Sequence, residues 1–187
     1  MSSFTSAASV LPALFPRALA ALAGALAVAL AAQVAVPLPG TPVPMSLAPL
    51  AVVLVGGLLG ARGGAAALVT YLVMGAAGLP VFAPGGLPGA ARLFGPTGGF
   101  LLAYPLAAAL AGVVTARGTG WVRVLAAPAL GMLAIYAGGA AQLLVLTGSA
   151  SLAVALGALP FVAGDLLKVG VAALVLRRFA GSTRALR

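Results

Sequence analysis

Asp165 is the only acidic residue in a chain of 187, and Lys168, three positions on, is the only lysine. Both stand inside an otherwise apolar run, Phe161-Val-Ala-Gly-Asp-Leu-Leu-Lys-Val-Gly-Val-Ala-Ala-Leu-Val-Leu176. In a membrane helix either charge alone costs about 2.5–3.5 kcal/mol near the bilayer centre. A spacing of i, i+3 sets the two side chains on one helix face, within reach of each other. A pair so placed partly neutralises itself and still offers an acceptor and a donor to a third molecule. The plainer alternative is an ion pair that only braces helix packing. Intramembrane ionisable groups more often mark a substrate or ion path, so the pair is read as the centre of a binding site.

Three other features could join it. Gly95-Pro-Thr-Gly-Gly-Phe100 immediately precedes an apolar helical run. Backbone N–H groups at that helix start, around Gly95 and Gly98, together with the Thr97 hydroxyl, suit a carboxylate or carbonyl oxygen. Ordinary loop-to-helix punctuation with a threonine cap explains the same residues. Arg92 precedes that turn and suits either a ligand carboxylate or the lipid headgroups. Tyr71, Tyr104 and Tyr136, taken singly, read better as interfacial belt or core than as pocket lining.

Composition sets the frame. The chain is 63% hydrophobic and 6% charged, with a mean hydropathy of +1.24. So few charges cannot cover a water-soluble domain, and an integral membrane protein is expected. The formal net charge of +9 comes from basic residues scattered singly between apolar runs. That pattern reads as membrane-flanking anchors rather than a nucleic-acid surface. There is no cysteine and no histidine, which excludes thiolate and imidazole sites for zinc, haem or iron–sulfur clusters. A single carboxylate also excludes paired-carboxylate catalysis and an all-carboxylate metal cage. No cofactor is expected.

The elements that must hold the pair are six apolar spans in one transmembrane domain, 1–187. An N-terminal segment, 1–16, lacks a charged n-region, and the first span is expected to be retained rather than cleaved. Span 1 covers about 18–36, and its Ala21, Ala25 and Ala29 form a small-residue stripe that lets another helix approach closely. Pro37-Leu-Pro-Gly-Thr-Pro-Val-Pro44 places four prolines in eight residues, which favours a stiff extended loop. Span 2 (45–60) and span 3 (65–77) flank a tight connection at Ala61-Arg62-Gly63-Gly64. The segment 79–97 is the longest non-helical stretch, and its apolar content argues for an ordered, functional loop. Span 4 starts near Gly98 and reaches Thr115. Span 5 (121–147) carries Pro128 and Gly131 as kink points. Residues 148–159 form an apolar loop or short interfacial helix, and Pro160 opens span 6. A basic tail, 179–187, closes the chain.

Six spans put both termini on one side. With the termini cytoplasmic, eight arginines lie inside and only Arg92 lies outside. The positive-inside rule therefore gives N-in, C-in. The connections 37–44, 79–97 and 148–160 then share the outer side with Asp165 and Lys168.

Four motifs in this order, Pro37-Leu-Pro-Gly-Thr-Pro-Val-Pro44, Gly78-Leu-Pro-Val-Phe-Ala83, Gly95-Pro-Thr-Gly-Gly-Phe100 and Gly164-Asp-Leu-Leu-Lys168, resemble the BioY family. That family is the biotin-specific substrate-binding S component of energy-coupling factor (ECF) transporters, and the likeness runs from about Gln33 to Leu176. The resemblance implies an all-α S-component fold of six transmembrane helices that binds biotin near the outer face of the cell membrane. It implies partners: a transmembrane coupling protein and two ABC-type ATPases. It maps the family's acidic and basic pair onto Asp165 and Lys168, and its loop before helix 4 onto Gly95–Gly99. It also turns the stripe of Ala21, Ala25 and Ala29 toward the coupling protein. Two rival functions stand beside it. A proton-coupled carrier would use Asp165 as its proton site, and a membrane enzyme would have too little acid–base equipment.

Overall fold

A computed structural model describes residues 11–182 of the protein. Most of the expected N-terminal segment 1–16, and the tail from 183 on with Arg184 and Arg187, lie outside the described residues. The described chain is almost wholly helical: α1 (Leu11–Gln33), α2 (Ala48–Ala76), α3 (Gly98–Ala116), α4 (Trp121–Thr147), α5 (Ala150–Gly157) and α6 (Val162–Phe179). Five helical segments in it are long and apolar enough to cross a membrane. Their outer faces carry Leu30, Val122, Leu133, Val145 and Leu167, each more than half exposed. An apolar surface of this extent is at home in lipid, where helices satisfy their backbone polar groups internally. The protein is a multi-pass membrane protein.

α2 is two helices in one. At Gly60 the backbone leaves helical geometry (φ 79°, ψ 176°), a conformation open to glycine and strained for other residues. The arms on either side fold back on each other: a Cβ placed on Gly64 would lie 2.7 Å from the Gly56 Cα. The expected connection at 61–64 thus shrinks to a single residue, because one glycine suffices to reverse the chain. Span 2 also begins later than expected. Met45–Ser46 pairs antiparallel with Ala35–Val36, so helix starts only at Ala48, with Pro49 in its first turn. The proline loop 37–44 is the tip of that small hairpin, consistent with residues that cannot donate to a ladder.

The helices pack in sequence, α1 on α2, α2 on α3 and α3 on α4, with α6 against α2 and α4. Contact is close because small residues face each other: a Cβ on Gly56 would clash with the Ala108 carbonyl oxygen. Without a hydrophobic drive inside lipid, such van der Waals contact is what holds helices together. The alanine stripe of α1 is corrected by this packing. Ala25 and Ala29 are 0% and 7% exposed, and the neighbouring Gly24 abuts Val55 and Ala67 on the two arms of α2. The stripe lets α1 approach its own chain, and the face turned outward carries Leu19, Leu22, Leu26 and Leu30 instead.

The segment after α4 resolves into helix. Gly148 ends α4 in the left-handed conformation (φ 67°), and Ser149 caps α5 by accepting from the Leu152 N–H. A 3-10 turn, Leu159–Phe161, contains Pro160 and leads into α6. Another 3-10 helix, Gly89–Phe94, lies in the long connection before α3.

Candidate functional site

On α6, Leu166 and Leu167 are 68% and 74% exposed, whereas Asp165 and Lys168 are 7% and 8% exposed. The helix therefore turns its apolar side outward and its charges into the bundle, as the three-residue spacing requires. Lys168 Nζ donates to Asp165 Oδ1 at 2.6 Å. The second oxygen is engaged too: the Tyr136 hydroxyl, from α4, donates to Oδ2 at 2.6 Å. Hydrogen bonds to an ionised group are the strong ones. Removing one member of a buried pair costs about 3–5 kcal/mol, because it strands the other charge.

These groups line a cavity of about 60 Å³, together with Arg92, Thr97, Tyr71 and Tyr104. Its remaining walls are mostly apolar, among them Val43, Phe82, Phe100, Ile135 and Phe161. A wider space of about 620 Å³ adjoins it, walled by Pro37, Pro42 and Pro84 and by the turn Gly85–Leu87. Pro44, Arg92 and Thr97 line both and form the neck between them.

Arg92 sits on the 3-10 helix Gly89–Phe94 and is 5% exposed. Its Nη2 donates to the Ala83 carbonyl at 2.6 Å, and its guanidinium lies so close over Gly86 that a side chain there would displace it. Burial draws the guanidinium pKa below the usual arginine value. Its Nε and the Tyr71 hydroxyl are buried with no hydrogen-bond partner. Leaving such a group unsatisfied costs about 1–3 kcal/mol.

The turn before α3 departs from expectation. The Gly95 N–H donates to the Arg92 carbonyl and the Gly98 N–H to the Gly95 carbonyl, so neither is free for an anion. Gly95 lines only the outer space, and Gly98 lines neither. Thr97 precedes α3 with helical backbone angles and makes no side-chain cap bond, which leaves the hydroxyl to the neck. Of the residues singled out by sequence, Asp165, Lys168, Arg92 and Thr97 therefore converge on one cavity.

Comparison with known proteins places this arrangement. The BioY family model matches residues 6–185. The chain belongs to the BioY family. Among relatives, a Pyrococcus horikoshii protein named probable biotin transporter BioY is 39% identical over 142 residues, covering 76% of this chain and 83% of that one. A biotin transporter BioY of Thermotoga maritima is 38% identical and covers 75% of this chain and 83% of its own. The fold is similar to a crystal structure described as the S-component for biotin from an ECF-type ABC transporter. That match has a TM-score of 0.78 over 94% of each chain, at 23% identity.

Within this BioY chain, sequence reasoning missed the tyrosines and two glutamines. Tyr71 and Tyr104 are buried in the core, one of the two places expected for them, and with Tyr136 they also line the cavity. They come from three different helices, so no spacing along the chain links them. The Gln33 amide nitrogen, at the end of α1, lies 3.1–3.4 Å from the carbonyls of Ala29, Pro80, Val81 and Phe82. Gln142 donates to the carbonyls of Leu93 and Gly95 at 3.4 and 3.3 Å. Both tie the 79–97 connection to the helices. A lone amide inside an apolar run was the available signal.

Proposed function

We propose that this protein is the biotin-binding membrane component of an ECF-type uptake transporter. The observation that carries the reading is the Asp165–Lys168–Tyr136 cluster opening on an otherwise apolar cavity, in a chain whose relatives are named biotin transporters. Biotin offers two ureido N–H donors, one carbonyl acceptor, an apolar thioether ring and a valeryl chain ending in a carboxylate. Asp165 accepts from the ureido N–H groups, and Lys168 donates to the carbonyl. Arg92 meets the carboxylate, Thr97 contributes its hydroxyl at the neck, and the aromatic walls cover the rest. A mostly apolar pocket with a few placed polar groups is the usual form of such a site.

The inner cavity of about 60 Å³ is far below the few hundred Å³ or more usual for a ligand of this size. Biotin therefore enters through the proline-walled space, and the loops 37–44 and 79–97 part at the neck to admit it. No step of covalent chemistry is required of the chain.

We also infer six membrane crossings in one domain, with the two arms of α2 counted separately and both termini in the cytoplasm of the cell. The Gly60–Ala61 reversal meets Gly112 near the end of α3, and Arg177 lies over Trp121 at 3.9 Å. Arg62, Arg117, Arg123 and Arg177 thus gather at one end of the bundle and the cavity lies toward the other, which supports the charge rule. The energy source is assigned to partners, a coupling protein and two ABC-type ATPases, since the chain holds no Gly-x-x-x-x-Gly-Lys-Ser/Thr loop. A proton carrier working through Asp165 fits less well. Protonating it would leave Lys168 buried beside a neutral acid.

The test is to purify the protein without added ligand, identify by mass spectrometry what accompanies it, and titrate the emptied protein with biotin. Co-purified biotin and tight binding are expected. A different small molecule, with no biotin binding, would end this reading.

A further inference from the structure

Tyr71 carries a group that helix packing does not explain. It lies in the second arm of α2, is 0% exposed, and lines the cavity. Its ring meets Phe82 edge-on at 5.4 Å and stacks beside Tyr104 at 6.2 Å. A phenylalanine would make both contacts. The hydroxyl adds only a buried polar atom with no partner, a feature that costs stability and that folded proteins rarely keep without use.

Its surroundings point to the use. The Arg92 Nε, in the same cavity, is the other buried polar side-chain atom without a partner among the described residues. Arg92 spends Nη2 on the Ala83 carbonyl. The chain has no further carboxylate to give Arg92, because Asp165 is the sole acid and its charge is already paired with Lys168. Two idle donors and an uncompensated cation on one cavity require an acceptor bearing negative charge. The chain cannot supply it, so the ligand must.

We propose that the Tyr71 hydroxyl is a ligand contact, donating together with Arg92 Nε to the carboxylate of the bound molecule, and that it sets the preference for the free acid over neutral derivatives. The proposal rests on the biotin reading above and adds a residue and a selectivity to it. Arg92 supplies charge from a loop. Tyr71 supplies a donor from a packed helix, fixed in place by Phe82 and Tyr104, so it fixes where the anion sits.

The experiment compares purified wild type with Tyr71→Phe, using biotin and its neutral primary amide as calorimetric ligands and ligand-free thermal unfolding as a control. A hydrogen bond to a charged group predicts at least a tenfold loss of biotin affinity, with less than a threefold change for the amide. The ligand-free variant should unfold at the wild-type temperature or above, since an unsatisfied hydroxyl has been removed. Unchanged biotin affinity would overturn the proposal while leaving the biotin reading intact. Equal losses for acid and amide would overturn it as well, as would a variant that unfolds earlier or fails to fold, because the hydroxyl would then be structural. If wild type binds neither ligand, the biotin reading fails and the proposal falls with it.

Discussion

The two polar ends of the cavity are built on opposite terms. At the α6 end, Asp165 accepts from Lys168 and from Tyr136, so the charges are matched before any ligand arrives. At the other end, Arg92 and Tyr71 keep buried donors idle. One end is preorganised by helices and neutral in sum. The other is cationic, half of it on a loop, and incomplete without an incoming anion. A ligand that is neutral and hydrogen-bonding at one end and anionic at the other suits this asymmetry, and biotin is such a molecule. The difference teaches where affinity and where selectivity are to be sought. Preorganised groups lower the cost of binding, whereas unsatisfied buried groups reject ligands that cannot satisfy them.

The comparison can be broken most directly at its matched end. Asp165→Asn strands Lys168 in a buried site, and biotin affinity should fall by about 100-fold or more, with a lower unfolding temperature. Calorimetry and a thermal melt read both, and an unaltered affinity would remove the pair from the site. At the other end Arg92→Ala should cost about 10- to 100-fold for biotin, as loss of a charged hydrogen bond does. The amide of biotin should be affected much less, and equal effects on both ligands would place the carboxylate elsewhere.

Tyr136→Phe sharpens the matched end. It removes one of the two donors on Asp165, and a loss of about tenfold is expected. Combined with Asp165→Asn, it should add almost nothing, since the two act as one unit. Full additivity would show that the hydroxyl works independently of the carboxylate. Gln33→Ala should give the smallest effect, a few-fold faster biotin release, because it frees the carbonyls of Pro80, Val81 and Phe82 while Gln33 itself does not line the cavity. Increased proteolytic cutting within 79–97 would accompany it; an unchanged release rate and cutting pattern would deny α1 a hold on that loop.

Much of this molecule is local in origin, and that part could be read along the chain. Apolar runs, proline clusters and singly placed arginines fix where helices can lie in a bilayer, because lipid leaves the backbone few alternatives. The three-residue spacing of Asp165 and Lys168 is a helical fact and needed no fold to predict it. The turn at Gly60 was legible only as a glycine-rich neighbourhood; its conformation chose one residue within it. What faces what could not be read in this way. Ala21, Ala25 and Ala29 suit any close helix partner, and only the packing of α1 on α2 decided that the partner is the chain itself. The N–H groups of Gly95 and Gly98 looked free beside a helix start, until the turn bonds to the Arg92 and Gly95 carbonyls claimed them. Tyr71 and Tyr136 sit on helices far apart in sequence and carry no pattern that links them. Composition and spacing determine which segments enter the membrane and where charge must be compensated, since those costs are paid residue by residue. Tertiary structure alone decides which polar atoms end up satisfied, because that depends on contacts between segments whose order in the chain does not encode their distance.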